Sequence, residues 1–121
     1  MKERIKQAIA QDKVIDITTT GRTSGEPRRI EMWYHNFDGQ VYITGLPGTR
    51  DWYANMVAHP RFTFHLKESA QADLPATARA ITDPTERRAV LTRILDNLAR
   101  PASALAEWEQ GSPLVAVTFD T

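Results

Sequence analysis

An alternating segment that ends in a tight turn constrains the fold of this chain most strongly. Across residues 29–35 an isoleucine, a methionine and a tyrosine share one face, while a glutamate, a tryptophan and a histidine share the other. This period of two is typical of a strand. Asp38 and Gly39 then form a pair typical of hairpin turns, and residues 41–44 form the return strand. The chain is therefore expected to build an antiparallel sheet.

Four further segments are predicted as strands from their β-branched, aromatic or alternating residues: 14–20, 61–67, 77–82 and 114–119. Helices are predicted near residues 5–9, after a cap at Thr49, after the Asp83 cap with its following proline, and over 103–110. Short strands interrupted by small helices favour a partly closed antiparallel barrel of about six strands over a parallel sheet. We expect a mainly β, α+β single domain over residues 1–121.

Composition excludes several function classes. At 121 residues the chain has the length of one domain, and its net charge of zero argues against general attraction to nucleic acid. It has no cysteine, its three histidines are scattered, and no metal site is expected. The charged N-terminus and the absence of a long apolar run predict no membrane span and a cytoplasmic location.

Residues 18–29 concentrate threonines, glycines and arginines between two predicted strands. Glycines let backbone N–H groups converge on an anion, hydroxyls add donors, and arginines pair with phosphate or carboxylate oxygens. The segment therefore predicts a local anion site. It is not a nucleotide-triphosphate loop, since the Gly-Lys-Ser/Thr ending is missing and a strand follows. A polar hairpin loop with solvated arginines remains the alternative.

The same segment, read as Thr-Thr-Thr-Gly-Arg-Thr-Ser-Gly-Glu-Pro-Arg-Arg, resembles the deazaflavin-dependent nitroreductase family. The resemblance continues through Arg-Asp-Trp-Tyr-Ala-Asn at 50–55, His-Pro-Arg at 59–61 and Ser-Pro-Leu-Val at 112–115. It implies a split β-barrel of the flavin-reductase type, related to pyridoxamine-phosphate oxidases. It also implies that reduced coenzyme F-420, a deazaflavin, passes a hydride to a quinone, a nitroaromatic or another small organic acceptor.

The resemblance also implies where the cofactor binds. The anionic phosphodiester and glutamate tail would meet the first segment, while the loop at 48–53, with Trp33 and Thr44, would meet the deazaflavin ring. The spacing of Trp52 favours the core side of an amphipathic helix as the alternative to a role at the ring. No residue is assigned a catalytic role, because the chemistry belongs to the cofactor. The predicted cofactor-binding residues are Thr19, Thr20, Gly21, Arg22, Thr23, Ser24, Gly25, Arg28, Arg29, Trp33, Thr44, Gly45, Thr49, Arg50, Asp51 and Trp52.

The chain departs from this family's pattern in two places. The loop before Trp52 is compact, and no tyrosine follows Tyr53 on the side expected to face the acceptor. A non-catalytic carrier of flavin, haem or lipid therefore remains an alternative, as does an enzyme that uses flavin mononucleotide (FMN). Because a barrel of this size leaves apolar edges uncovered, we also expect a homodimer.

Overall fold

The computed structural model describes residues 1–120, and within them seven strands form one sheet in which every neighbouring pair is antiparallel. The sheet order is β2-β1-β5-β6-β7-β4-β3. The strands are β1 (Val14–Thr20), β2 (Pro27–Trp33), β3 (His35–Phe37), β4 (Gln40–Thr44), β5 (Arg61–Leu66), β6 (Ala72–Ala80) and β7 (Leu114–Phe119).

The sheet curls, so that β2 approaches β4 across the open side of a half-barrel. Four α-helices accompany it: α1 (Glu3–Gln11), α2 (Asp51–Ala58), α3 (Pro84–Asn97) and α4 (Leu105–Gly111), with a 3-10 turn at Ala102–Ala104 before α4. None of the helices in residues 1–120 has the length and apolarity needed to span a bilayer.

Strand β7 is buried on both faces because the fold has two apolar clusters. Its Val115 and Val117 join the cluster inside the curled sheet, which α1 and α2 cover. Its Leu114 and Ala116 join a second cluster beneath α3 and α4. This double burial explains why residues 114–117 form an uninterrupted apolar run rather than an alternating one.

Several local predictions are confirmed. The hairpin turns at Asp38 and Gly39, which both adopt positive φ, as a two-residue hairpin of this kind requires. Helix α3 begins after Asp83, whose carboxylate accepts a hydrogen bond from the Glu86 backbone N–H at 2.9 Å. The predicted strand at 14–20 coincides with β1.

Three predictions are wrong. The strand expected at 77–82 runs over Ala72–Ala80, since β5 pairs with its residues 72–77, including Pro75. The alternation at 29–35 is split at Tyr34, whose side chain turns into the core, so the sheet has seven strands rather than six. Thr49 does not cap α2, because Arg50 occupies that position without a side-chain cap.

Candidate functional site

The turn between β1 and β2 is tightly closed by its own backbone. Gly21 N–H donates to the Glu26 carbonyl at 2.8 Å, and Gly25 N–H donates to the Gly21 carbonyl at 2.8 Å. Gly25 adopts φ +72°, which favours glycine. A Cβ on Gly21 would lie 2.5 Å from Ser24 Oγ. These glycines therefore let the hydroxyl of Ser24 fold back over the turn.

A groove of about 290 Å³ lies between this turn and the start of α2, and we call it the first groove. Its walls combine two arginines and three hydroxyl side chains with the apolar surfaces of Ile30 and Trp52. Trp52 is 5% exposed, so it belongs to the core as well as to the groove wall. The lining residues are Thr19, Gly21, Arg22, Thr23, Ser24, Arg28, Ile30, Asp51, Trp52 and Asn55.

Asn55 ties the turn to helix α2. Its amide oxygen accepts from the backbone N–H and from Nη1 of Arg22, both at 3.0 Å, while its amide nitrogen donates to Thr19 Oγ1 at 3.2 Å. Arg22 Nη2 also donates to the exposed Asp51 carboxylate at 3.2 Å. Asn55 therefore fixes the turn against α2 and so shapes the first groove, although it was not among the site residues predicted from the sequence.

The neighbouring arginines of β2 point to opposite faces of the sheet. Arg28 lines the first groove, whereas Arg29 Nε donates to Asp16 at 3.0 Å on the other face. Lys67 Nζ also donates to Asp16, at 2.7 Å. The hydrogen bond from Lys67, joined by that from Arg29, holds the pKa of the Asp16 carboxyl below its usual value. Arg29 is thus engaged away from the groove.

Arg28 has no such partner. Its side chain forms no hydrogen bond or ion pair with any residue in the described part of the chain, positions 1–120. The planar guanidinium presents donors that match a phosphate or a carboxylate. Together with the hydroxyls of Thr23 and Ser24, Arg28 makes this groove suited to an anion.

The remaining predicted residues are divided. Asp51 and Trp52 line the first groove, but Thr49 and Arg50 line a second groove between α2 and the end of α4. Thr44 Oγ1 donates to the Pro113 carbonyl at 2.6 Å. Thr20, Gly25, Trp33 and Gly45 line neither groove, and Trp33 is 59% exposed near the end of β2.

The fold is shared by solved structures. A conserved hypothetical protein from Mycobacterium tuberculosis is 17% identical, with a TM-score of 0.74 over 100% of this chain and 82% of that one. A structure described as an F420-H2 dependent reductase is 22% identical, with a TM-score of 0.63 over 88% of this chain and 95% of that one. A FAD-binding protein from Mesorhizobium loti is 15% identical, with a TM-score of 0.67 over 100% and 91%. These similarities confirm the split β-barrel fold.

The model of a protein family extends the comparison from fold to chemistry. The F420H(2)-dependent quinone reductase model matches residues 2–108, which include both sides of the first groove and most of the second. The match confirms the deazaflavin coenzyme expected from the sequence as the cofactor. The chain therefore belongs to the F420H(2)-dependent quinone reductase family and is a deazaflavin-dependent oxidoreductase.

Proposed function

We propose that this protein passes a hydride from reduced coenzyme F-420 to a small organic acceptor of the quinone or nitroaromatic class. We propose further that the first groove holds the anionic part of the coenzyme. The observation that carries the second statement is the unpartnered Arg28 guanidinium beside the hydroxyl-rich turn.

The donor set fits the coenzyme. A phosphodiester and a chain of glutamates need cationic and neutral donors. The groove offers Arg28 and Arg22 together with the hydroxyls of Thr23 and Ser24. Asp51 is the acidic residue in this lining, and Arg22 already holds it. An anion in the groove would therefore compete with Asp51 for Arg22 and would meet Arg28 directly.

The coenzyme supplies the redox chemistry when bound: one hydride and one proton leave it and convert a quinone to a hydroquinone. The residues of this chain bind and orient. The apolar faces of Ile30 and Trp52 exclude water from one side of the first groove, and Asn55 fixes the turn against α2. We assign no acid to the protein, since solvent can supply or accept the proton.

The neighbouring arginines provide a matched test. Arg28→Ala and Arg29→Ala each remove one positive charge from adjacent positions. Any effect of the lower net charge on binding is therefore the same in both variants. A charge-assisted hydrogen bond contributes about 1.5–3 kcal/mol, and about 1.4 kcal/mol changes a dissociation constant tenfold. We expect Arg28→Ala to weaken F-420 binding by about tenfold to a hundredfold, and Arg29→Ala by less than about threefold.

The titration uses fluorescence of the oxidised coenzyme, with FMN titrated in parallel. Equal losses in the two variants would mean that both arginines contribute, as the sequence analysis expected, and that the assignment of the anion to this groove fails. Tighter binding of FMN would favour the flavin alternative. Bound reduced coenzyme that no quinone or nitroaromatic oxidises faster than buffer would favour a carrier.

Strand β2 supports the proposal of a homodimer. It is an edge strand with six of its seven residues exposed, among them Ile30 at 40% and Trp33 at 59%. An exposed edge strand with large apolar side chains favours pairing with another chain. Light scattering of the wild type and of Trp33→Lys tests this proposal: a wild type with the mass of one chain at all concentrations would refute it.

A further inference from the structure

The second groove is the larger of the two, with a volume of about 590 Å³, within the range of small-molecule sites. It lies on the other side of the α2 start from the first groove. Residues 49 and 50 line the second groove, while residues 51 and 52 line the first. Its lining consists of Gly48, Thr49, Arg50, Tyr53, Ala54, Thr82, Arg87, Glu109, Gln110, Gly111, Ser112 and Pro113.

The guanidinium of Arg50 is fixed by hydrogen bonds to the loop that precedes α2 and borders this groove. Its Nη1 donates to the Thr49 carbonyl at 2.9 Å and its Nη2 to the Leu46 carbonyl at 3.1 Å. Gly48 adopts φ +134°, and a Cβ there would lie 2.9 Å from Arg50 Nη1. The loop is itself anchored, because Gly48 N–H donates to the Gly111 carbonyl at 3.0 Å. The guanidinium is therefore preorganised, and its charge has no carboxylate within 4 Å in residues 1–120.

The other charges of the groove do not cancel that of Arg50. Arg87 donates to four backbone carbonyls, including those of Glu109 and Ser112, so carbonyl dipoles rather than a carboxylate face its charge. The Glu109 carboxylate is engaged by Arg88 at 3.3 Å from outside the groove. With two arginines and one glutamate, the lining of this groove has an excess of positive charge, and Arg88 already pairs with the glutamate.

Unused donors and apolar surface complete the second groove. The hydroxyls of Tyr53 and Thr82 have no hydrogen-bond partner in the described residues. Tyr53, Ala54 and Pro113 offer apolar surface to the body of a ligand. The lining therefore suits a small organic molecule that carries an oxyanion.

We propose that the second groove binds the hydride acceptor, that it favours an acceptor carrying a carboxylate, sulfonate or phosphate, and that Arg50 determines this preference. This inference rests on the proposed function, since an acceptor is needed only if the coenzyme gives up a hydride. In this reaction the acceptor would gain a hydride and a proton from the reduced coenzyme. Arg50 contacts the anionic substituent and takes no part in the transfer.

A matched pair of quinones tests the preference. Menadione is neutral, whereas 1,4-naphthoquinone-2-sulfonate carries an anion on the same ring system. We measure kcat/KM for both with the wild type, Arg50→Gln and the control Arg61→Gln, whose side chain is 83% exposed and outside both grooves. For each protein we divide kcat/KM for the sulfonate by kcat/KM for menadione. Comparing this ratio between proteins cancels the different intrinsic reactivities of the two quinones. We expect Arg50→Gln to lower this ratio at least tenfold, and Arg61→Gln to leave it within twofold.

The glutamate tail of the coenzyme is a second source of carboxylates for Arg50. Binding measurements distinguish a contact of Arg50 with this tail from a contact with the acceptor. Loss of affinity in Arg50→Gln for the glutamylated coenzyme, but not for a form without glutamates, would assign Arg50 to the tail and overturn the proposal. An unchanged quinone ratio would overturn it as well.

Failure of the proposed function gives a different result. If neither quinone oxidises the reduced coenzyme, the proposed hydride transfer to quinones is refuted. Equilibrium binding of the sulfonate to the cofactor-free protein then tests whether the second groove binds an oxyanion. Binding that Arg50→Gln weakens tenfold would support an oxyanion site there. Equal binding by the two proteins, or no binding, would refute it.

Discussion

The effect of removing the Asn55 side chain can be predicted, because this side chain satisfies polar groups of both β1 and the turn that follows it. It is 3% exposed, and its amide accepts twice from Arg22 and donates once to Thr19, which is 2% exposed. The Asn55→Ala variant removes all three bonds. The guanidinium of Arg22 can turn to water, since its side chain is 44% exposed. The Arg22 backbone N–H and the Thr19 hydroxyl lose a partner in a confined space.

An unsatisfied buried polar group costs about 1–3 kcal/mol. For two such groups, with some water entering the space left by the amide, we expect Asn55→Ala to lower the free energy of unfolding by about 2–4 kcal/mol. Urea unfolding followed by tryptophan fluorescence measures the change. Asn97→Ala is the control, because Asn97 is an exposed helical asparagine with one long contact of 3.4 Å to His35. We expect it to cost less than about 1 kcal/mol.

The same variant separates folding from binding. In Asn55→Ala that remains folded, the turn at residues 21–26 loses its attachment to α2, and F-420 affinity should fall even though no proposed phosphate ligand has been removed. A loss of stability below about 0.5 kcal/mol would refute the argument that these bonds hold the groove. So would a loss as large in Asn97→Ala.

Two further predictions concern the sheet and α1. The Asp16 pKa is lowered by Lys67, so the stabilisation by this pair is present above the usual value of 3.8 and is lost as the pH falls through the lower folded-state value. Asp16→Asn should therefore flatten the fall in Tm between pH 5 and about pH 3, and an unchanged slope would contradict this. The Tyr34 hydroxyl donates to the Ile9 carbonyl at 2.8 Å, so Tyr34→Phe should cost about 1 kcal/mol in urea unfolding, whereas a neutral effect would show that water replaces it.

Local sequence patterns correctly predicted the elements whose conformation is determined by residues close in sequence. The Asp38-Gly39 turn and the Asp83 cap are each fixed by backbone requirements within four residues. Strand β6 was misplaced because its first half has Asp73 and Pro75 where a local pattern expects a loop. Pairing with β5 overrides that signal, since the register from Phe62 to Leu66 continues across both residues.

Asn55 could have been found from spacing alone. Helix α2 buries Trp52, Asn55 and Met56, which lie at i, i+3 and i+4. A polar residue in an apolar stripe needs a hydrogen-bond partner, and a turn rich in donors is the obvious candidate. What spacing does not supply is that partner's identity. The contact between Asn55 and Arg22 spans 33 residues and depends on how α2 lies against β1.

The arginines of a neutral chain are divided by strand alternation. Alternation along β2 sends Arg29 to Asp16 on one face and leaves Arg28 on the other without a carboxylate within 4 Å in residues 1–120. Arg50 is likewise unpaired beside the second groove. Because 15 acidic residues balance 15 basic ones over the whole chain, a net charge of zero is compatible with a local excess of positive charge at both grooves, each of which is lined by two arginines and one acidic residue. Attraction for a charged ligand is then confined to those grooves, and it should weaken with salt only through the few contacts made there.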